Sequence, residues 1–161
     1  MKSKERVKQL VEELQLLPHP EGGFYKETYR SLDLVKTPSG ERNLRTVIYF
    51  LLTSENVSKF HRIKSDEHWF WHEGSALTIH ILEQGQHQKL SLGPVTLSQS
   101  FPQHLVPAEK IFGSTVDEED SYALVSCVVS PGFDFKDFEL FNKEDLLKEF
   151  PNQEAIISRL T

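Results

Sequence analysis

An all-β fold of barrel or sandwich type with helical ends is what this chain predicts, on three observations. From about Arg45 onward it breaks into short runs rich in Val, Ile, Thr and aromatic residues. Turn-forming residues separate those runs at close intervals. Helical spacing of apolar residues is confined to the two ends. The length of 161 residues suits one domain with a real core. We therefore expect a single domain over 1–161, with a barrel core at about 20–140 and helical ends at 4–17 and 142–160.

Taken in order, Val7, Leu10, Val11, Leu14 and Leu17 follow helical spacing, and Pro18 forbids continuation. HPEGG (His19 to Gly23) is a turn signal, and FYKETYR after it reads as extended. RTVIYFLLT, NVSKFHRI, HWFWHE, ALTIHIL, QKLSL and YALVSCVVS then read as strands. Gly74, Gln84–Gly85, Gly93–Pro94, Pro102 and Gly113 punctuate them. SPGFDFKDFELF brings Phe133, Phe135, Phe138 and Phe141 near one another. The end offers two short helices, DLLKEF and NQEAIISRL, the second with Asn152 as N-cap. There is no internal repeat and no linker.

Composition removes several classes of function. With 38% hydrophobic and 26% charged residues, the chain is neither disordered nor built to span a membrane with helices. Its longest apolar runs, such as VIYFLL, are far too short to cross a bilayer. The first residues, MKSKERVKQL, lack the apolar core of a signal peptide. A single cysteine, Cys127, excludes an internal disulfide and a thiolate cluster, and its flanks (VSCVV) mark a buried strand thiol rather than a nucleophile. These features point to the cytoplasm. A net charge of −6 argues against nucleic acid as a partner, and the acid run Asp117–Asp120 reads as a solvated loop.

The chemistry concentrates in FHRIKSDEHWFWHEG, Phe60 to Gly74, which holds both tryptophans of the chain. Strand alternation puts Glu67, Trp69 and Trp71 on one face and His68, Phe70 and His72 on the other. An open metal site normally needs three protein ligands. His61 and Glu67 make only two, His68 points away from them, and of Gln103 and His104 alternation admits only one inward. Acid–base chemistry is the sharper expectation. An imidazole exchanges protons near neutral pH, a carboxylate beside it orients the ring, and neighbouring tryptophans desolvate the pair. Such a pair can abstract a proton next to a carbonyl, as epimerases and isomerases do. The competing reading is a satisfied structural pair. Trp69 and Trp71 either stack on a ring-shaped ligand or fill the core, and Gln103 offers an amide to a ligand. His80 reads as a hydrogen-bonded strand residue, Arg62 as outward-facing, and His19 and His87 as turn residues without a signal.

These residues resemble the first cupin motif: His61 matches its first histidine, Glu67 its glutamate and Gly74 its glycine, while Ile63 occupies the second histidine position. In the second motif Pro107 is in register, but Glu109 stands for glycine and Phe112 for histidine. HPEGGFYKETYRS, FHRIKSDEHW and VSPGF before an Asp-Phe pair are similar to a small cupin group called cupin-5, over about Pro18 to Leu140. That resemblance implies a double-stranded antiparallel β-helix, a homodimer, and a small molecule held in the barrel mouth. It implies no reaction. A fainter similarity, Gly23-Phe24-Tyr25-Lys26-Glu27, is to the N-terminal strand of nucleotide-sugar epimerases, with Gly22 where those enzymes carry an arginine. It suggests that Glu27 and Tyr29 reach the pocket rim.

The expectation is thus a cytosolic cupin barrel binding a small polar metabolite, with His61 as base and Glu67 orienting it or acting as acid. Trp69, Trp71, Gln103, Glu27 and Tyr29 would position the ligand. No cofactor is expected, a divalent metal being disfavoured by Ile63 and Phe112. The rivals are a metal-assisted enzyme that uses His61, Glu67 and a third ligand, and a non-catalytic metabolite-binding protein.

Overall fold

The computed structural model describes residues 2–96 and 99–161. Helix α1 (Lys2–Glu13) leads to strands β1 (Leu17–Pro18), β2 (Phe24–Arg30), β3 (Leu34–Thr37) and β4 (Gly40–Asn43). The central strands are β5 (Thr46–Thr53), β6 (Val57–Arg62), β7 (Asp66–Gly74), β8 (Leu77–Glu83) and β9 (Gln86–Leu92). After them come β10 (Gln103–Val106), β11 (Ile111–Val116), β12 (Tyr122–Ser130) and β13 (Glu139–Leu140). Helices α2 (Lys143–Glu149) and α3 (Glu154–Arg159) follow.

Two antiparallel sheets dominate. One runs β1-β2-β5-β12-β7-β10 and the other β13-β6-β11-β8-β9. The chain changes sheet at nearly every step from β5 to β12, so that sequence-distant β5 and β12 lie side by side. This is the strand order of a jelly roll. The faces turned towards each other form the main core, from Phe50 and Leu52 through Trp69, Ile79, Ile81 and Phe112 to Val125 and Cys127. Trp69 sits between the layers, its indole edge-on to Phe50 and Phe112.

The helical ends cover outer faces. Leu10 of α1 and the following Leu16 pack on Leu51 and Leu124, on the back of the six-stranded sheet. Arg6 pins the helix there with a two-pronged bond to Glu73, at 2.6 and 2.8 Å. Leu146, Phe150, Ile157 and Leu160 bury Phe60, Leu82 and Ile111 on the back of the other sheet. Among the described residues no helix is long and apolar enough to cross a membrane.

Three local readings of the sequence change. Helix α1 stops at Glu13 rather than at residue 17. Gln15 adopts the left-handed conformation at φ 55°, which turns the chain so that Leu16 is buried and Leu17 becomes an exposed residue of β1. Residues 34–43, unassigned by pattern, form the β3–β4 hairpin. Gln153, not Asn152, is the N-cap of α3, and it makes no side-chain capping bond; Asn142 caps α2 by accepting from the Asp145 N–H at 2.9 Å.

Candidate functional site

A cavity of about 360 Å³ opens between the sheets, lined from β2, β5, β6, β7, β12, the 19–21 turn and the loop that follows β12. Strand register builds one wall. Thr46, Val129 and Glu67 lie in a row across β5, β12 and β7, and Ile48, Cys127 and Trp69 form the next row. Strand β2 extends both rows, with Arg30 beside Thr46 and Glu27 beside Ile48. By strict alternation Arg30 would face away from Glu27. A bulge between Glu27 and Tyr29 restores it to the cavity side. There Arg30 donates to Glu27 Oε1 at 2.6 Å and to the Phe133 carbonyl at 3.0 Å.

The aromatic loop over the cavity is held from several directions. The Phe133 N–H donates to Thr46 Oγ1 at 2.9 Å. Arg42 grips Asp137 with two bonds of 2.8 Å, a planar fork that fixes orientation as well as distance. Phe133 and Phe138 thereby form part of the cavity lining.

His61 is 3% exposed, with its ring between Phe112 and Phe138 at 4.2 and 5.5 Å. Its Nδ1–H donates to the Lys59 carbonyl at 2.6 Å, and its Nε2 lies 2.9 Å from Glu21 Oε2. The partner is therefore Glu21, from the HPEGG turn. That turn is shaped by glycine. Gly22 has φ 110°, and a Cβ there would lie 1.9 Å from the Val57 carbonyl oxygen. The close approach lets the Glu21 carbonyl accept the Lys59 N–H at 2.8 Å. His19 closes the turn by accepting the Glu21 N–H on Nδ1 at 3.1 Å, which leaves its own proton on Nε2.

Burial works against charge on both members of the His61–Glu21 pair, yet their mutual attraction wins. His61 is raised above its ordinary value and Glu21 is lowered, each by the other, which favours the imidazolium–carboxylate form of the pair. Glu67 behaves differently. Burial lifts its carboxyl to about 7; positive His61 pulls it down, negative Glu21 pushes it up, and the Cys127 thiol and Trp69 N–H offset little. Burial and the neighbouring Glu67 hold the Cys127 thiol well above the usual range, an inert group. His19 is lowered, chiefly by burial. The cavity therefore contains a carboxyl poised to exchange a proton near neutral pH, beside a fixed ion pair.

The metal-binding pattern of the cupin motifs does not fit these residues. Ile63 and Phe112 are buried where two further ligands would stand, and the Phe112 ring lies against the His61 imidazole. His61 Nε2 is already engaged by Glu21. Among the described residues no three His, Cys, Asp or Glu side chains are grouped to hold an ion.

Of the residues singled out from sequence, His61, Glu67 and Glu27 all line the cavity. Trp69 and Trp71 share the inward face with Glu67 but lie outside the lining. Trp69 is 1% exposed in the inter-sheet core, and Trp71 donates its N–H to the Ser75 carbonyl. Gln103 is exposed on β10, at the edge of its sheet, away from the cavity. Tyr29 is turned outward by the β2 bulge, 45% exposed under the Arg45 guanidinium. Sequence reasoning missed Glu21, His19 and Arg30. The signal available for the first was the double glycine after an acid, which marks a turn pressed against another backbone.

Comparison with known proteins agrees with this architecture. The family model Cupin_5, described as cupin superfamily (DUF985), matches residues 8–141. The uncharacterised protein YML079W of Saccharomyces cerevisiae is 31% identical over 163 residues, spanning 92% of this chain and 81% of that protein. Protein SO0799 of Shewanella oneidensis has a solved structure with 42% identity and a TM-score of 0.89, covering 96% of each chain. A hypothetical protein from Leishmania major superposes with a TM-score of 0.89 at 38% identity, over 96% of this chain and 97% of its own. Bacillus subtilis oxalate decarboxylase, at 17% identity and a TM-score of 0.54, covers 89% of this chain with 36% of its own and shares the fold alone. With its jelly-roll strand order and a match across most of its length, this chain belongs to the Cupin_5 (DUF985) group of the cupin superfamily.

Proposed function

We propose that the cavity binds a small, uncharged polar metabolite and moves a proton on a carbon next to its carbonyl, the chemistry of an epimerase or isomerase. One observation carries this reading: Glu67, a buried carboxyl held at about 7, shares the cavity with the His61–Glu21 ion pair. A base works best when its pKa lies near the operating pH. Both ring nitrogens of His61 are engaged, which favours Glu67 over His61 as the group that takes and returns the proton. Positive His61 then stabilises the negative charge that develops on the substrate. His19 offers an Nε2–H for a substrate oxygen.

The charges support an uncharged ligand. Arg30, the guanidinium of the lining, is paired with Glu27, and Glu21 is paired with His61. Asp134 adds a further acid to the lining, so among the described residues no unpaired Lys or Arg awaits a phosphate or carboxylate there. The volume lies at the small end of ligand sites, and Tyr25, Phe133 and Phe138 offer ring faces to a sugar.

The test is a thermal-shift screen of free sugars, nucleotide sugars and small organic acids, followed by incubation of each binder in heavy water. Free sugars should bind, and the recovered ligand should carry one deuterium. Glu67→Gln should still bind while losing the exchange. A ligand that binds and returns without deuterium would make this a binding protein and not an enzyme.

A further inference from the structure

A second concavity lies on the opposite side of the five-stranded sheet from the cavity. Strand β8 sends Ile79 and Ile81 into the inter-sheet core, and Leu82 into the outer cluster beneath the C-terminal helices. His80, between Ile79 and Ile81, shares the outer face with Leu82. The groove, about 350 Å³, is lined by His80, His87 and Lys89 of the β8–β9 hairpin and by Asn152, Gln153 and Arg159 of the C-terminal segment. Among the described residues no carboxylate side chain lines it. Lys89 and Arg159 take part in none of the ion pairs among the described residues. Lys89 and Arg159 thus bring two cations without a paired acid into one hollow of a chain whose net charge is −6.

The two histidines connect this hollow to the interior. His80 is 4% exposed, with Nε2 2.8 Å from Thr115 Oγ1 and Nδ1 2.9 Å from His87 Nε2. Burial, then His87, Arg159 and Lys89, hold His80 down at about 4, so it stays neutral. Burial and Lys89 also lower the more accessible His87. The charged and titratable groups facing His87 are His80 from β8, Lys89 from β9 and Arg159 from α3.

We propose that this groove binds the phosphoryl group of a small phosphorylated metabolite through Lys89 and Arg159, with His87 taking up a proton as the dianion enters. A single carboxylate needs one cation. The two fixed charges match a dianion, and a third, available on demand, tightens the hold on it. The His80–His87 contact can be kept when the proton is accepted. With both rings neutral, the contacts suit Thr115 O–H donating to His80 Nε2 and His80 Nδ1–H donating to His87 Nε2. On protonation the chain reverses, so that His87 Nε2–H donates to His80 Nδ1 and His80 Nε2–H donates to Thr115 Oγ1. This site stands apart from the cavity and does not rest on its chemistry.

Imidazole nitrogen NMR on the full chain tests it, comparing inorganic phosphate with chloride at matched ionic strength. Phosphate should raise the pKa of His87 by about one unit, and sulfate should compete with it. Lys89→Ala and Arg159→Ala, both at exposed positions, should each weaken phosphate binding about tenfold. His87→Ala should abolish the pH dependence of binding but not binding at alkaline pH. Glu67→Gln should change none of this. If His87 titrates identically in phosphate and chloride, or if the Lys89 and Arg159 variants bind phosphate like the parent, the proposal is overturned.

Discussion

Replacing Glu67 by Gln keeps the shape of the side chain and fixes it in the uncharged form. In the native protein burial lifts this carboxyl from 4.5 to about 7. At about 1.4 kcal/mol for each tenfold change in proton affinity, that lift is worth about 3 kcal/mol. Between those two values the folded chain keeps a proton that the unfolded chain has released. The parent therefore loses stability as pH rises from about 4.5 through 7, and the loss levels off above that. Glu67→Gln has no proton to lose. Urea unfolding followed by tryptophan fluorescence, repeated across pH for both proteins, gives the difference in stability. Other titrating groups contribute to both proteins and largely cancel. The variant should gain on the parent by about 3 kcal/mol between pH 4.5 and 8. A difference that stays flat with pH, or that favours the parent at high pH, would show Glu67 ionised at its ordinary value and remove the basis for proton transfer.

Further outcomes follow from the same geometry. His61→Ala leaves the Glu21 carboxylate buried without its counter-charge and should cost about 3–5 kcal/mol; adding Glu21→Gln should recover part of that, and strict additivity in a double-mutant cycle would contradict the pairing. Gly22→Ala forces a Cβ to within 1.9 Å of the Val57 oxygen, so unfolding should show a loss of at least about 1–3 kcal/mol, with the His61 nitrogen resonances shifted as Glu21 withdraws; a variant as stable as the parent would refute the fit. Because burial and Glu67 hold the Cys127 thiol far up, a disulfide reagent should label it only at the rate of unfolding. Rapid labelling of the native protein would mean the cavity is wetter than described.

The barrel could be read from residue pattern because each core strand obeys a simple alternation. Runs such as TVIYFLLT and YALVSCVVS combine β-branched residues with turn-forming neighbours, and they fold as the adjacent strands β5 and β12. His61 and Glu67 were legible for the same reason, since alternation along two consecutive strands, β6 and β7 of opposite sheets, puts both inside. The partner of His61 was not, because Glu21 reaches it through a turn whose value lies in a positive φ and a backbone contact. Parity also fails where a strand bulges. Without the irregularity in β2, Tyr29 would share the face of Glu27; with it, Arg30 does. Trp69 and Trp71 show a further limit: alternation says which face a side chain takes, not whether it meets an open space or the opposite sheet.

The backbone of Lys59 holds both halves of the ion pair, accepting from the His61 ring on its oxygen and donating its N–H to the Glu21 carbonyl. The distance between acid and base is thus set by main-chain geometry rather than by mobile side chains, and detaching residues 19–23 would free that N–H while robbing the imidazole of its carboxylate. Solvent exchange at one amide, that of Lys59, becomes a gauge of whether the machinery is assembled, readable before any ligand is known.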